Sequence, residues 1–313
     1  VIVTRGNFKA VLATLADYKV LSCDTETTGL KPHSGDGLFS IIIGSASSGF
    51  YFNFQRDQDA PPPLDHIHLS ALRLLFEDPE REWVFQNAKF DMGMLRAEGI
   101  EVKGTLWDTM IAERVLSSLL EQKLGDFSLD SIAKRYGFKK DDRVEKWIAE
   151  NKAYTVVKPE GVLQSKKVPH YDQVPFKLIS EYGLIDQKIT HQIRDRQLAK
   201  IIRMDKTRYS GQPKVSNVLR QEFDLLRVVY EMEETGVDVD SLYCARAIAR
   251  QNDLEAEARV AFKKQTGEDY ANSPKQNARV FKSDVKLWSY GKPTKVKKVI
   301  NPKFDSDALK KFE

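Results

Sequence analysis

Over its first 110 residues the sequence switches repeatedly between two apolar periodicities, and that alternation limits the folds open to it. Phe8 to Leu15 repeats at helical spacing, and Lys19 to Cys23 then reads as a strand that ends at an acidic stretch. Phe39 to Ala46 and Phe50 to Phe54 read as two strands joined through Ser47-Ser48-Gly49, a hairpin signal. A loop at Ala60-Pro61-Pro62-Pro63 leads into a helix over Leu64 to Phe76 and a short strand over Glu82 to Phe85. Strands alternating with helices, one pair of them a hairpin, predict an α/β fold whose sheet mixes parallel and antiparallel pairing.

From Asp108 onward the pattern is mostly helical. Asp108 and Ser128 each stand before apolar residues at helical spacing and suit N-caps. Residues 156–175 have no clear period and are broken by Pro159, Gly161, Pro169 and Pro175, so they read as an irregular insertion. Phe176 to Arg203 predicts a long helix with Ile185, Ile189 and Ile193 as one stripe. At 313 residues the chain exceeds most single cores, and Ser210-Gly211-Gln212-Pro213 is the expected break between a domain over 1–212 and another over 213–313. Helices over Leu219 to Glu234 and Ser241 to Lys264 follow, with Gly236 as C-cap and Asp240 as N-cap of an antiparallel pair.

Composition excludes several classes. Hydrophobic residues make up 41% and charged residues 30%, which suits a globular protein. No apolar run approaches the roughly 20 residues that span a bilayer, so no membrane is expected. Cys23 and Cys244 form no CxxC pair, which fits a reducing cytoplasm and argues against a thiolate zinc site. His66 and His68 have no third ligand nearby, and no GxSxG, GxxxxGK[ST] or GxGxxG after a strand is present. The N-terminus shows no signal-peptide pattern and does not begin with Met, so a processed or excised chain is expected.

Three short stretches carry chemistry. In Asp24-Thr25-Glu26, at a strand end, residues two apart share a face, and two adjacent carboxylates repel unless a hard cation joins them. Asn87 and Asp91 are four apart at a strand-to-helix junction, and so are Tyr182 and Asp186 on the long helix. Taken singly, each reads as well as an acidic turn, an N-cap or a core tyrosine. Together they supply four carboxylates and a phenol, a set suited to divalent cations and a phosphodiester.

In this order the three stretches resemble the DEDDy 3′–5′ exonucleases. Asp24-Thr25-Glu26-Thr27-Thr28-Gly29-Leu30 is similar to the first exonuclease motif, and Phe85-Gln86-Asn87-Ala88-Lys89-Phe90-Asp91 to the second as found in family A DNA polymerases. Asp108-Thr109-Met110 and Ser128-Leu129-Asp130-Ser131-Ile132-Ala133 resemble that family's linking helices. Glu181 stands where the sister group carries a histidine, which favours the tyrosine type. The resemblance implies a ribonuclease H-like mixed sheet flanked by helices and a site for two divalent metal ions, Mg²⁺ or Mn²⁺. It implies that Asp24, Glu26 and Asp186 hold one ion, that Asp24 reaches the second, and that Asp91 acts largely through water. Tyr182 would position the attacking water, Leu30 would wedge against the terminal base, and Gln86 and Asn87 would lie close to the terminal nucleotide.

The later sequence extends the resemblance. Glu222-Phe223-Asp224-Leu225-Leu226 through Asp240 resembles the entry to the mostly helical thumb of family A polymerases, and Asn272-Ser273-Pro274-Lys275-Gln276 resembles a motif soon after it. From 275 to 303 the strip includes Lys275, Lys295, Lys297 and Lys298 with Trp288 and Tyr290 interleaved, a pattern that suits DNA phosphates. The implied partners are a single-stranded DNA 3′ end, primer-template DNA, the rest of a polymerase chain and replisome proteins, in a bacterial cytoplasm with a phage or bacterial source. Palm and fingers motifs are absent, so no polymerisation by this chain alone is expected. The expected function is a proofreading 3′–5′ exonuclease releasing nucleoside 5′-monophosphates. The alternatives are an RNase D-like exoribonuclease and a non-catalytic DNA-binding module.

Overall fold

The computed structural model describes residues 1–57, 59–120, 125–157, 165–209, 211–271 and 276, and the backbone alone of 294–296 and 299–301. Two compact units result, Val1–Gly236 and Val237–Glu313.

The first unit is built on a six-stranded sheet. Its strands are β1 (Ile2–Val3), β2 (Val20–Thr27), β3 (Leu38–Gly44), β4 (Gly49–Asn53), β5 (Glu82–Phe85) and β6 (Thr105–Asp108). They lie in the order β1-β4-β3-β2-β5-β6. β2, β3 and β4 pair antiparallel, whereas β1–β4, β2–β5 and β5–β6 pair parallel. The mixed pairing anticipated from the sequence is therefore present. β1 and β6 were not anticipated, and β2 runs through the acidic stretch instead of ending before it.

Strand alternation sorts the core into two layers. Leu21, Cys23, Ile41, Ile43, Phe50, Phe52, Trp83 and Phe85 bury against α1 (Phe8–Ala16), α2 (His66–Phe76) and α3 (Ala88–Ala97). On the opposite face Ile42 and Tyr51 meet Phe176, and Val84 joins Leu116 and Ile201. Those partners come from α4 (Thr109–Leu119) and the 32-residue α7 (Phe176–Thr207). Ile189 and Ile193 of the anticipated stripe pack on Ile132 and Ala133 of α5 (Leu129–Arg135), with Ile185 beside them. The segment read as an irregular insertion includes regular structure. Tyr154–Val157 (β7) and Lys166–Pro169 (β8) pair antiparallel after α6 (Arg143–Asn151), and Pro169 ends the second strand.

Near the expected break Gly211 adopts φ 92, and the Gln212 N–H donates to the Tyr209 carbonyl at 3.2 Å. Compactness nevertheless continues past 212 to Gly236, because α8 (Val215–Thr235) buries Val215, Leu219, Leu226 and Tyr230 in the same unit. Gly236 closes α8 with a positive φ of 67, as its C-cap role requires. The second unit begins with α9 (Ser241–Thr266), whose Asp240 side chain accepts from the Tyr243 backbone N–H as the expected N-cap. β9 (Thr294–Val296) and β10 (Val299–Asn301) pair antiparallel. Lys275, Lys297 and Lys298 lie outside the described residues, as does the side chain of Lys295.

Candidate active site

β2 carries the site, and its alternation distributes the side chains. Ser22 faces α7, where its hydroxyl accepts from Gln187 Nε2 at 2.6 Å and lies 3.2 Å from His191 Nδ1. Asp24 and Glu26 follow at spacing two and so share that face. Thr25 faces the other way and donates to Asp91 Oδ1 of α3 at 2.7 Å. The β2–β3 register shifts between Glu26 and Thr27, a bulge that ends the regular ladder where the acids stand. Thr27 then donates to the Gly29 carbonyl, and the chain turns away, leaving Leu30 exposed.

α7 supplies the opposing wall. Tyr182 and Asp186 are both buried and one turn apart, and Gly183 lets the helix approach closely. A Cβ at Gly183 would stand 3.0 Å from Ile42 and 3.3 Å from Glu26 Oε1. Asp91 is placed by Asp108 as well as by Thr25. The Asp108 carboxylate accepts from the backbone N–H groups of Asn87 and Ala88 at the start of α3, and from those of Met110 and Ile111 at the start of α4. One side chain thus caps two helices.

Lys140, between α5 and α6, enters the same site. Its ammonium lies 2.9 Å from Asp186 Oδ2, donates to the Tyr182 hydroxyl at 2.6 Å and sits 3.7 Å from Glu145. Burial works against its charge, but Asp186, Glu145 and Asp24 hold Lys140 above the ordinary lysine range. The acids are pushed the other way from their ordinary state. Burial, then Asp91 and Asp186, raise Asp24; burial, then Asp24 and Asp186, raise Glu26. Burial raises Asp91 to about 7 against the Thr25 hydrogen bond, and Asp186 to about 6 against Lys140. Burial and the negative charges of Asp186 and Glu26 also raise Tyr182, so its phenol is protonated at neutral pH.

The four carboxylates therefore influence one another within one site. Among the described residues no three acidic, histidine or cysteine groups converge closely enough to ligate one ion. Asp91 is turned to Thr25 and Asp186 to Lys140. Two inward oxygens, Glu26 Oε1 and Asp186 Oδ1, are buried with no hydrogen-bond partner. Unpaired buried carboxylate oxygens are costly, and a divalent cation is the ligand that offsets that cost.

A family model described as 3′–5′ exonuclease, that of the family A DNA polymerases, matches residues 1–195. The chain belongs to this exonuclease family. The chain is 26% identical over 311 residues to "DNA polymerase DpoZ" of Salmonella phage PMBT28, covering 96% of this chain and 45% of that protein. It is 24% identical over 287 residues to "DNA polymerase I" of Pseudomonas aeruginosa, covering 88% of this chain and 28% of that protein. The polymerase domain of Pol1 from M. smegmatis, in complex with DNA primer-template and dNTP, shares the fold with a TM-score of 0.61 at 18% identity, covering 99% of this chain and 44% of that one. The chain thus spans less than half the length of these relatives. The mixed sheet flanked by helices is the architecture expected from the motifs.

Asp24, Glu26, Asp91, Tyr182 and Asp186 stand near enough to influence one another electrostatically. Glu181, in the position that separates the two subtypes, faces outward and pairs with Arg143 at 2.9 Å. Asn87 is exposed and adopts φ 66, capping α3 by its backbone position with no side-chain bond. Gln86 is engaged at both ends of its amide, donating to the Phe127 carbonyl at 2.9 Å and accepting from Thr109 Oγ1 at 2.5 Å. His68 closes a capping box with Asp65 at the start of α2, so the HxH pair serves the helix. Lys140 and Thr25 were not singled out by the sequence. Lys140 sits in the run Lys139-Lys140-Asp141-Asp142, which reads as a solvated loop and gives no local sign of burial.

Proposed function

We propose that this chain is a proofreading 3′–5′ exodeoxyribonuclease of the tyrosine type, acting for a family A DNA polymerase. The observation that carries this is the pair of unpartnered inward oxygens on Glu26 and Asp186, set between β2 and α7 beside the Tyr182 phenol. Asp24, Glu26 and Asp186 would hold one divalent cation, with Asp24 reaching toward a second and Asp91 supporting it. Divalent cations there supply charge stabilisation for the attacking and leaving oxygens of a phosphodiester.

The chain's own residues perform the rest. Tyr182, protonated at neutral pH, orients the attacking water through its hydroxyl. Leu30, exposed on the turn that follows β2, suits a wedge against the terminal base. Gln86, its amide held by Phe127 and Thr109, and the exposed Asn87 would lie close to the terminal nucleotide. DNA as substrate follows from relatives named DNA polymerases. Lys275, Lys295, Lys297 and Lys298 are assigned to the DNA backbone from charge pattern alone, and 213–313 to the start of a thumb.

The test offers 3′-recessed primer-template DNA with a matched or mismatched terminus, beside single-stranded RNA of the same sequence, in Mg²⁺. Faster removal of the mismatched DNA nucleotide, with RNA untouched, is the expected result. Cleavage of RNA alone would move the site to an exoribonuclease, and binding without cleavage would leave a DNA-holding module.

A further inference from the structure

Lys140 is the one cation of the described residues that touches both Tyr182 and Asp186. It is not a loose surface lysine. Its side chain is only 16% exposed, and its loop is fastened on both sides. Before it, Phe138 packs with the α5–α7 cluster of Ile132, Ile189 and Ile193. After it, Val144 and Ile148 of α6 bury beside Ile179 and Tyr182. Arg143 ties the same loop to α7 by bonding both Asp141 and Glu181, the residue preceding Tyr182. The ammonium also lies over the Tyr182 ring, 4.5 Å from its centroid.

Two consequences follow from this geometry. The ammonium donates to the phenol oxygen, which occupies an acceptor position of Tyr182 and leaves the phenol hydrogen to point elsewhere. The hydroxyl lies 3.5 Å from Glu145, too long for a strong bond, and is also within reach of Asp186 and Tyr171, so Lys140 fixes the oxygen while the hydrogen is left to rotate. The same ammonium stands against Asp186 Oδ2 as a monovalent counter-ion, so a divalent cation taken up at the unpartnered Oδ1 is opposed by its charge.

We propose that Lys140 is a positioning residue that fixes the Tyr182 hydroxyl for the attacking water and serves as the counter-ion of Asp186 until divalent cations bind. This rests on the hydrolytic reading of the site. The bond from Lys140 to Tyr182 is separate from its pair with Asp186, so one side chain covers both states.

The test compares the full chain with Lys140→Met, Lys140→Arg, Tyr182→Phe and the Lys140→Met/Tyr182→Phe double variant. Calorimetric titration with MnCl₂ alone reads the counter-ion role without any turnover. Lys140→Met is expected to bind Mn²⁺ roughly ten-fold more tightly, since a competing cation is gone. The gap in melting temperature between EDTA and Mn²⁺ should widen, and Lys140→Arg should restore it in part. In exonuclease assays kcat should fall roughly ten-fold or more with KM unchanged, and the double variant should match Tyr182→Phe alone.

Unchanged Mn²⁺ affinity, or losses that multiply in the double variant, would overturn the role of Lys140 while leaving the nuclease reading intact. A loss carried by KM would make Lys140 a substrate contact instead and would equally overturn it. If the parent cleaves nothing yet Lys140→Met still tightens Mn²⁺, the hydrolytic reading fails and the counter-ion role stands.

Discussion

Asp24 and Thr25 are neighbours in sequence but serve opposite faces of one sheet. Asp24 looks to α7, and Thr25 bonds Asp91 on α3. That split lets a single strand gather acids from both layers. Crowding them has a measurable consequence, because burial lifts Asp91 to about 7 and Asp186 to about 6. An unfolded chain ionises these groups near pH ~4. A folded value above the unfolded one means that stability is full below about pH 4 and is lost as pH rises through about 7. In EDTA the melting temperature should therefore fall between pH 5 and pH 8, and Asp91→Asn should flatten that fall. An Asp91→Asn variant with the parent's full slope would contradict the assignment. The five site residues were legible because each sits in a short motif whose spacing survives folding unchanged. Lys140 was not legible, because its burial comes from a loop fastened by Phe138, Val144 and Arg143 to α7, far away in sequence.

α3 and α4 begin on the same carboxylate. Asp108 accepts four backbone N–H groups, two from each helix, so it stands behind the position of Asp91. Asp108→Ala should cost about 2–4 kcal/mol in chemical denaturation, more than an ordinary cap, because buried donors of two helices lose their acceptor. An unchanged midpoint would show that the caps do not hold these helices. Gly183→Ala tests the other wall. The added methyl meets Ile42 and Glu26, and a loss of about 1–3 kcal/mol with reduced exonuclease activity is expected. A variant as stable and as active as the parent would mean that α7 tolerates displacement. Long periodic elements such as α7 and α9, and the β3–β4 hairpin, were readable because their patterns repeat. β1 and β6 were not, since strands of two and four residues carry too little alternation to register. β7 and β8 were hidden by the prolines and glycine around them, which mark breaks but not what lies between the breaks.

The first compact unit ends at Gly236, beyond the turn that composition marks at 212. α8 explains the difference. Leu226 and Tyr230 bury in the core with α3, and the Tyr230 hydroxyl donates to the Met92 carbonyl at 3.2 Å. Arg227 donates to the Val102 carbonyl at 2.8 Å, and Glu231 and Glu233 pair with Arg96 and Lys89. A Gly-Gln-Pro turn is a local signal, whereas compactness depends on which face of the next helix is apolar and where it lands. A fragment of residues 1–236 should keep the fold and the exonuclease activity, while 1–212 should melt at least about 10 °C lower. Equal melting temperatures would place the boundary back at the turn. The central claim concerns the whole site, and one measurement reaches it most directly: release of nucleotides from 3′-labelled single-stranded DNA by the parent, Asp24→Ala and Asp186→Ala, each in Mg²⁺ and in EDTA. The expected result is nucleoside 5′-monophosphates from the parent in Mg²⁺ only, with each variant reduced at least about 100-fold while remaining folded. Undiminished cleavage in EDTA, or by Asp186→Ala, would contradict it.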